Sequence, residues 1–203
     1  MTHPISSSQE NHVDHDQEVY SKTLLGFWIY LLTDFVVFAT LFATYMVLHN
    51  NTFGGPSAKE LFDLPFTLAQ TLILLTSSFT IGVASTFVHK NHKGGTFFFF
   101  GITFLLGLFF TWMQWAEFSQ LVTAGDSWQK SAFLSAFFTL VGTHWIHMIL
   151  GLLWILVFIL PVFRYGLTPV HVRRLTCLKM FWQFLNVVWV FIFTVVYLLG
   201  VVG

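Results

Sequence analysis

The sequence predicts an all-α membrane protein, a polytopic bundle of five transmembrane helices with its N terminus inside and its C terminus outside. Three observations carry this. Of 203 residues, 56% are apolar and only 9% are charged, against about 25% charged in a typical soluble domain. Mean hydropathy is +0.74. Five apolar runs are each long enough to cross a hydrocarbon core, which takes about 20 helical residues. A soluble fold needs charge to cover its surface, so a cytosolic globular enzyme and a disordered chain are both excluded. Nine Lys and Arg balance nine Asp and Glu, which leaves no basic field for nucleic acid. Backbone groups in lipid must be satisfied within the segment, so the runs are helices, and the alternation of a membrane barrel is absent.

The elements follow in order. Residues 1–22 are polar, with Glu10, Asp14, Asp16 and Glu18 among His3, His12 and His15. They form a solvated tail without the apolar core of a signal peptide, expected to remain on the mature protein. The tail histidines offer metal ligands or are simply hydrated. A membrane domain covers residues 23–203, with spans at about 24–48, 65–88, 96–121, 131–160 and 180–202. The fourth run exceeds what a crossing needs, so it tilts or protrudes. The connections, about 49–64, 89–95, 122–130 and 161–179, are too short for a folded domain, and Gly54-Gly55-Pro56 marks a turn in the first. Lys22, Lys90, Lys93, Arg164, Arg173, Arg174 and Lys179 fall on one side of the membrane, and Lys59 and Lys130 on the other. The positive-inside rule sets the orientation from this bias. The single cysteine, Cys177, excludes an internal disulfide and a cysteine-based metal site. On the inner side it is an unpaired thiol.

Polar groups inside spans are costly and so informative. Asp34 falls near the middle of the first run. It is either a proton-accepting site or polar latch, or a neutral, hydrogen-bonded structural acid. Glu117 follows Trp112 and Trp115 near the outer end of the third run. It can reach interfacial water, or it is a helix-end carboxylate beside an aromatic belt. His144 and His147 lie three residues apart on one helix face. One helix cannot place both on opposite faces of a haem, and a metal site would need Asp34 or Glu117 to complete its shell. Interhelical hydrogen bonding is their expected role. Gln183 and Asn186 share a face of the last run, cannot titrate, and are expected to bond across helices. Ser131, Ser135, Thr139, Thr143 and Gly151 recur at multiples of four and read as a packing seam, within the bundle or against a partner. Phe97–Phe100 is a lipid-facing or core run. No catalytic, cofactor-binding or metal-binding residue is assigned.

Taken together, these residues resemble subunit III of the haem–copper respiratory oxidases, from Gly26 to the C terminus. The resemblance is strongest over Ala132–His147 followed by Gly151. Next come Phe181–Trp189 with Val196-Tyr197, then Thr33-Asp34 at the family's intramembrane carboxylate, and Glu117-Phe118 at its second acidic position. Five spans without a leading pair resemble the bacterial branch. Gly26-Phe27-Trp28-Ile29-Tyr30, Gly54-Gly55-Pro56 and Leu64-Pro65-Phe66 look most like the cytochrome o ubiquinol oxidase type. The resemblance implies a non-catalytic subunit of a proton-pumping oxidase that passes electrons from ubiquinol to dioxygen. It implies haems and copper in subunit I and none in this chain. It also implies contacts to subunits I, II and IV, bound phospholipid, and a place in the bacterial inner membrane. The role implied is support of assembly and of sustained turnover, with assistance to proton or oxygen supply. The family usually has His and Asp where this chain has Gln183 and Asn186, which removes titration there and keeps hydrogen bonding.

Other readings are a cytochrome c oxidase subunit III, a small proton-coupled carrier using Asp34 and Glu117, and a haem-binding electron carrier using His144 or His147. The uninterrupted spans and odd count argue against the carrier. The single-helix geometry argues against the haem protein.

Overall fold

Capping residues in the sequence set where the helices begin. A computed structural model describes residues 6–52, 58–90, 92–165 and 168–202. Its elements are α1 (Ser6–Leu48), α2 (Ala58–Leu61), α3 (Leu64–His89), α4 (Lys93–Thr123), α5 (Ala132–Tyr165) and α6 (Pro169–Ile192). A π-helical segment (Phe193–Leu198) and α7 (Leu199–Val202) continue the last of these. Pro65 stands in the first turn of α3, behind Asp63 in extended conformation, where a proline's missing N–H costs nothing. The His92 imidazole accepts from the Gly95 N–H at 3.3 Å at the start of α4. Ser131 Oγ accepts from the Leu134 N–H at 3.1 Å at the start of α5. Thr168 caps α6, with Pro169 in its first turn.

Five helices are long and apolar enough to cross a membrane: Glu18–Leu48, Leu64–Val88, Lys93–Thr123, Ala132–Pro161 and Val170–Val201. The last differs from the run read at 180–202, because it starts at the Thr168-Pro169 cap. Arg173, Arg174 and Lys179 therefore lie on a helix, not in a loop. Long cationic side chains allow this, since an apolar stem stays at the helix while the charge reaches toward water. Arg174 lies over the Phe158 ring at 5.8 Å. Lys179 Nζ donates to Ser85 Oγ at 3.3 Å. At the other end of the chain, the backbone is already helical at Ser6. The side chains of His12 and His15, and all of His3, lie outside the described residues, as does Gly54-Gly55-Pro56.

The chain divides into two units, one ending at Val36 and one covering Val37–Gly203. The first unit is the N-terminal part of α1. Trp28, Ile29, Leu32 and Phe35 are exposed there, an apolar surface suited to lipid or another membrane chain. In the second unit, α3, α4, α5 and α6 close into a ring. α3 packs on α4 and α6, and α5 packs on α4 and α6. The C-terminal part of α1 joins them through Phe38, whose ring lies 5.3 Å from His147 and 6.2 Å from Phe184.

Indoles bind this ring together with their N–H groups. Trp182 is fully buried and donates to Ser77 Oγ on α3 at 2.9 Å. Gly107 on α4 and Gly151 on α5 line its ring, so a Cβ at Gly107 would fall 2.6 Å from Trp182. Small residues let helices approach where lipid supplies no hydrophobic drive. Trp189 donates to Thr71 Oγ1 at 3.1 Å, and Trp145 to the Thr111 carbonyl at 3.1 Å. A hydroxyl pair, Thr80 and Thr103 at 2.8 Å, joins α3 to α4. The Phe97–Phe100 run divides between the two environments: Phe98 is exposed and Phe100 buried.

Chain direction sorts the two ends of this unit. The end of α1, the start of α3, the end of α4, the start of α5 and the C-terminal helix lie at one end, here called the loop end. The end of α3 with the start of α4, and the end of α5 with the start of α6, lie at the other.

Candidate functional site

The polar groups of the second unit gather near the loop end, around Glu117. Glu117 sits on α4 within the span Lys93–Thr123 and is half-buried. Three neutral donors from three helices converge on its carboxylate. Gln114 Nε2 donates to Oε2 at 2.9 Å from one turn earlier on α4. Gln70 Nε2 donates to the same oxygen at 3.4 Å from α3. Tyr197 O–H donates to Oε1 at 3.0 Å from the π-helical segment. Gln70, Gln114 and Tyr197 are buried completely. Among the described residues, no Lys, Arg or His is bonded to this carboxylate. The buried amide oxygens Gln70 Oε1 and Gln114 Oε1 have no hydrogen-bond partner.

The π-helical segment positions the tyrosine. Such segments put an extra residue into a turn and occur often at functional sites. Here it returns Tyr197 to the side of Trp189, with ring centroids 6.1 Å apart. Tyr45 O–H donates to the Val196 carbonyl at 3.5 Å within the same segment. Phe62 and Phe137 close over the Tyr197 ring at 4.8 Å and 6.0 Å. Glu117 also forms part of the wall of a cavity of about 300 Å³, with Asp63, Phe66, Gln120, Ala124 and Asp126. Lys130 Nζ pairs with Asp126 Oδ1 at 2.6 Å at its rim.

The other residues singled out in the sequence distribute as follows. Asp34 lies in the N-terminal unit, at the centre of the span Glu18–Leu48. The Tyr30 hydroxyl, one turn earlier, is its hydrogen-bonding neighbour. His144 is completely buried, and its Nε2 donates to the Leu185 carbonyl on α6 at 3.1 Å. His147 Nδ1 donates to the Thr143 carbonyl at 2.7 Å on its own helix. Asn186 Nδ2 donates to the Trp182 carbonyl at 2.8 Å, again within one helix. Of these three bonds only the first crosses between helices. Gln183 is half-buried. The small-residue row divides: Gly151 packs on Trp182, whereas Ser135 and Thr139 face outward. The Thr139 and Thr143 hydroxyls donate back to the carbonyls one turn earlier, each at 2.7 Å. Gln70 and Gln114 were not anticipated. Their signal was available, since an amide within a span must find a partner. Among the described residues, no group of three or more His, Cys, Asp and Glu is placed to hold a metal ion.

This architecture defines an α-helical polytopic membrane protein in which some of the described buried polar groups bond between helices and others back along their own, with a carboxylate hub at the loop end. Sequence comparison makes the class specific. The family model for cytochrome c oxidase subunit III matches residues 2–201, and the chain belongs to that family. A relative from Pseudomonas aeruginosa, named cytochrome bo(3) ubiquinol oxidase subunit 3, is 49% identical over 92% of this chain and 90% of its own. One from Bacillus spizizenii, named quinol oxidase subunit 3, is 40% identical over 100% of both chains. One from Bacillus sp. strain PS3, named cytochrome c oxidase subunit 3, is 47% identical over 88% of this chain and 86% of its own. The chain is thus similar to subunits of oxidoreductase complexes, in a family whose subunit III is not the catalytic one.

Proposed function

We propose that this chain is the non-catalytic subunit III of a proton-pumping ubiquinol oxidase in the bacterial cytoplasmic membrane. Subunit I is its main contact and holds the haems and copper, subunits II and IV complete the complex, and phospholipid fills grooves on its surface. The carrying observation is similarity over nearly the whole chain to proteins named as subunit 3 of ubiquinol or quinol oxidases. The N terminus lies inside, as the Lys and Arg bias requires, which puts the Glu117 hub and its cavity at the outer side. Residues 1–22 are the polar N-terminal tail, on the inner side, ahead of the membrane domain of residues 23–203. The outward-facing stretch of the small-residue row, Ser135 and Thr139, supplies a packing face for a partner helix. His144, His147, Gln183 and Asn186 act in packing.

The test is purification of the tagged chain from native membranes in mild detergent, with an optical spectrum and oxygen uptake. Haem absorbance and quinol-driven uptake should accompany the chain, and haem should leave when the chain is stripped from its partners. Haem remaining on the isolated chain would overturn the proposal. The relative named cytochrome c oxidase subunit 3 favours a second reading, in which cytochrome c is the donor. Uptake driven by reduced cytochrome c and not by quinol would select it.

Asp34 is proposed as a functional carboxylate of the first span. Asp34→Asn keeps size and hydrogen bonding and removes the charge, so assembly should be normal and the active lifetime during turnover shorter. Time courses of oxygen uptake read this directly, and an unchanged lifetime would leave Asp34 a structural acid.

A further inference from the structure

We propose that Glu117 is a proton-exchanging site, open through the cavity of Asp63, Gln120 and Asp126 to the aqueous phase at the loop end. The inference rests on the hub's geometry and does not depend on which donor feeds the complex.

A carboxylate has about four lone-pair positions. Gln70 and Gln114 occupy two on Oε2, and Tyr197 one on Oε1. The ionised form is therefore well provided with donors. All three are neutral, so charge at this depth is offset by dipoles and not by a cation. Among the described residues, the titratable groups that face Glu117 are few. Tyr197 comes from the last helix, Asp63 from the start of α3, and Asp126 from beyond α4, the last already paired with Lys130. Neutralisation must then come from a proton.

The hub can also hold the protonated form. A carboxyl O–H needs an acceptor, and two buried amide oxygens next to it are unoccupied, Gln70 Oε1 and Gln114 Oε1. Rotating either amide by half a turn exchanges a donor for an acceptor at Oε2. An arginine in either place would hold only the ionised form, and a leucine would hold neither. The proton comes from water in the cavity, whose wall Glu117 shares with Gln120 one turn later. It bonds to Oε2 as the amide turns, and returns to cavity water on release. Nothing else is consumed.

Infrared difference spectroscopy of the intact purified complex, titrated with acid and base in H₂O and D₂O, reads this exchange. A carboxylic C=O band should grow as pH falls and shift promptly in D₂O. It should be lost in Glu117→Gln. Gln114→Leu keeps the acid but removes one partner, so the band should move in frequency. Ala124→Trp narrows the cavity mouth, so the D₂O shift should slow by several fold with the band retained. A pH-independent Glu117, or a band whose exchange ignores Ala124→Trp, would overturn the proposal. If Glu117→Gln fails to assemble, the Gln114→Leu and Ala124→Trp complexes decide the matter.

Discussion

Gly107→Val should be among the most damaging single substitutions in the chain, sharply lowering the amount of folded protein recovered from membranes. A Cβ at Gly107 would stand 2.6 and 2.8 Å from two atoms of the Trp182 ring and 3.0 Å from Leu152. The indole cannot swing aside freely, because it is fully buried and its N–H is held by Ser77 at 2.9 Å. Overpacking of this kind costs about 1–3 kcal/mol for modest insertions. A branched side chain meeting a fixed indole belongs at the upper end or above. Gly151→Ala should be milder, since its Cβ would meet Trp182 only at 3.2 Å and Phe181 at 3.4 Å. Gly151→Leu should again be severe. Thermal denaturation of the purified protein gives the ranking. Trp182→Phe removes the ring atoms that meet Gly107, so it should recover part of the Tm lost by Gly107→Ala. Contacting residues show such coupling, and distant ones add. Simple additivity of the two changes would mean that the indole does not fix the approach of these helices.

The same indole shows what the sequence could and could not reveal. Length and hydropathy were enough to count the spans, because a bilayer sets a minimum run and forbids unsatisfied backbone. The start of α6 was missed because Arg173, Arg174 and Lys179 suggested water, whereas the Thr168-Pro169 cap was the better guide to helix start. Gly151 stood out by its spacing on α5. Gly107 stands in a row of the same kind on α4, between Thr103 and Thr111, so the same spacing was there to mark it. Glu117 and Tyr197 were both visible, yet their bond joins residues 80 apart. It depends on a π-helical turn that no spacing announces. Gln70 and Gln114 looked like incidental polar residues. Interhelical register, which composition and periodicity do not encode, makes them partners of one carboxylate. For Asn186 the expectation of a bond across helices gave way to one within α6, because the Trp182 carbonyl one turn earlier is the nearer acceptor.

Removing the carboxylate altogether should cost more than changing any of its partners. Glu117→Ala leaves Gln70 Nε2, Gln114 Nε2 and Tyr197 O–H aimed at an empty space. A buried donor without a partner costs about 1–3 kcal/mol, and several fail together here, although the terms are not additive. Tyr197→Phe removes one bond and leaves the acid two donors. Hydrogen bonds between membrane helices average about 0.6 kcal/mol, because the unfolded chain in lipid finds other partners. That variant should therefore sit within a few degrees of the parent in Tm. Glu117→Gln lies between: its amide fills the volume, but its N–H₂ faces either the tyrosine hydroxyl or the two glutamine amides. The hydroxyl accepts by rotating its O–H alone, whereas a glutamine amide must turn over by half a turn to do so. The least damaging arrangement turns the new N–H₂ toward Tyr197 and the new oxygen toward Gln70 and Gln114. In that arrangement Tyr197→Phe should weaken Glu117→Gln further, because the new N–H₂ then loses its acceptor. Denaturation of the parent and the four variants, read by tryptophan fluorescence with Trp189 beside Tyr197 as reporter, gives the order. Should Glu117→Ala prove as stable as Glu117→Gln, the three donors have other partners and the hub does not bind the helices together.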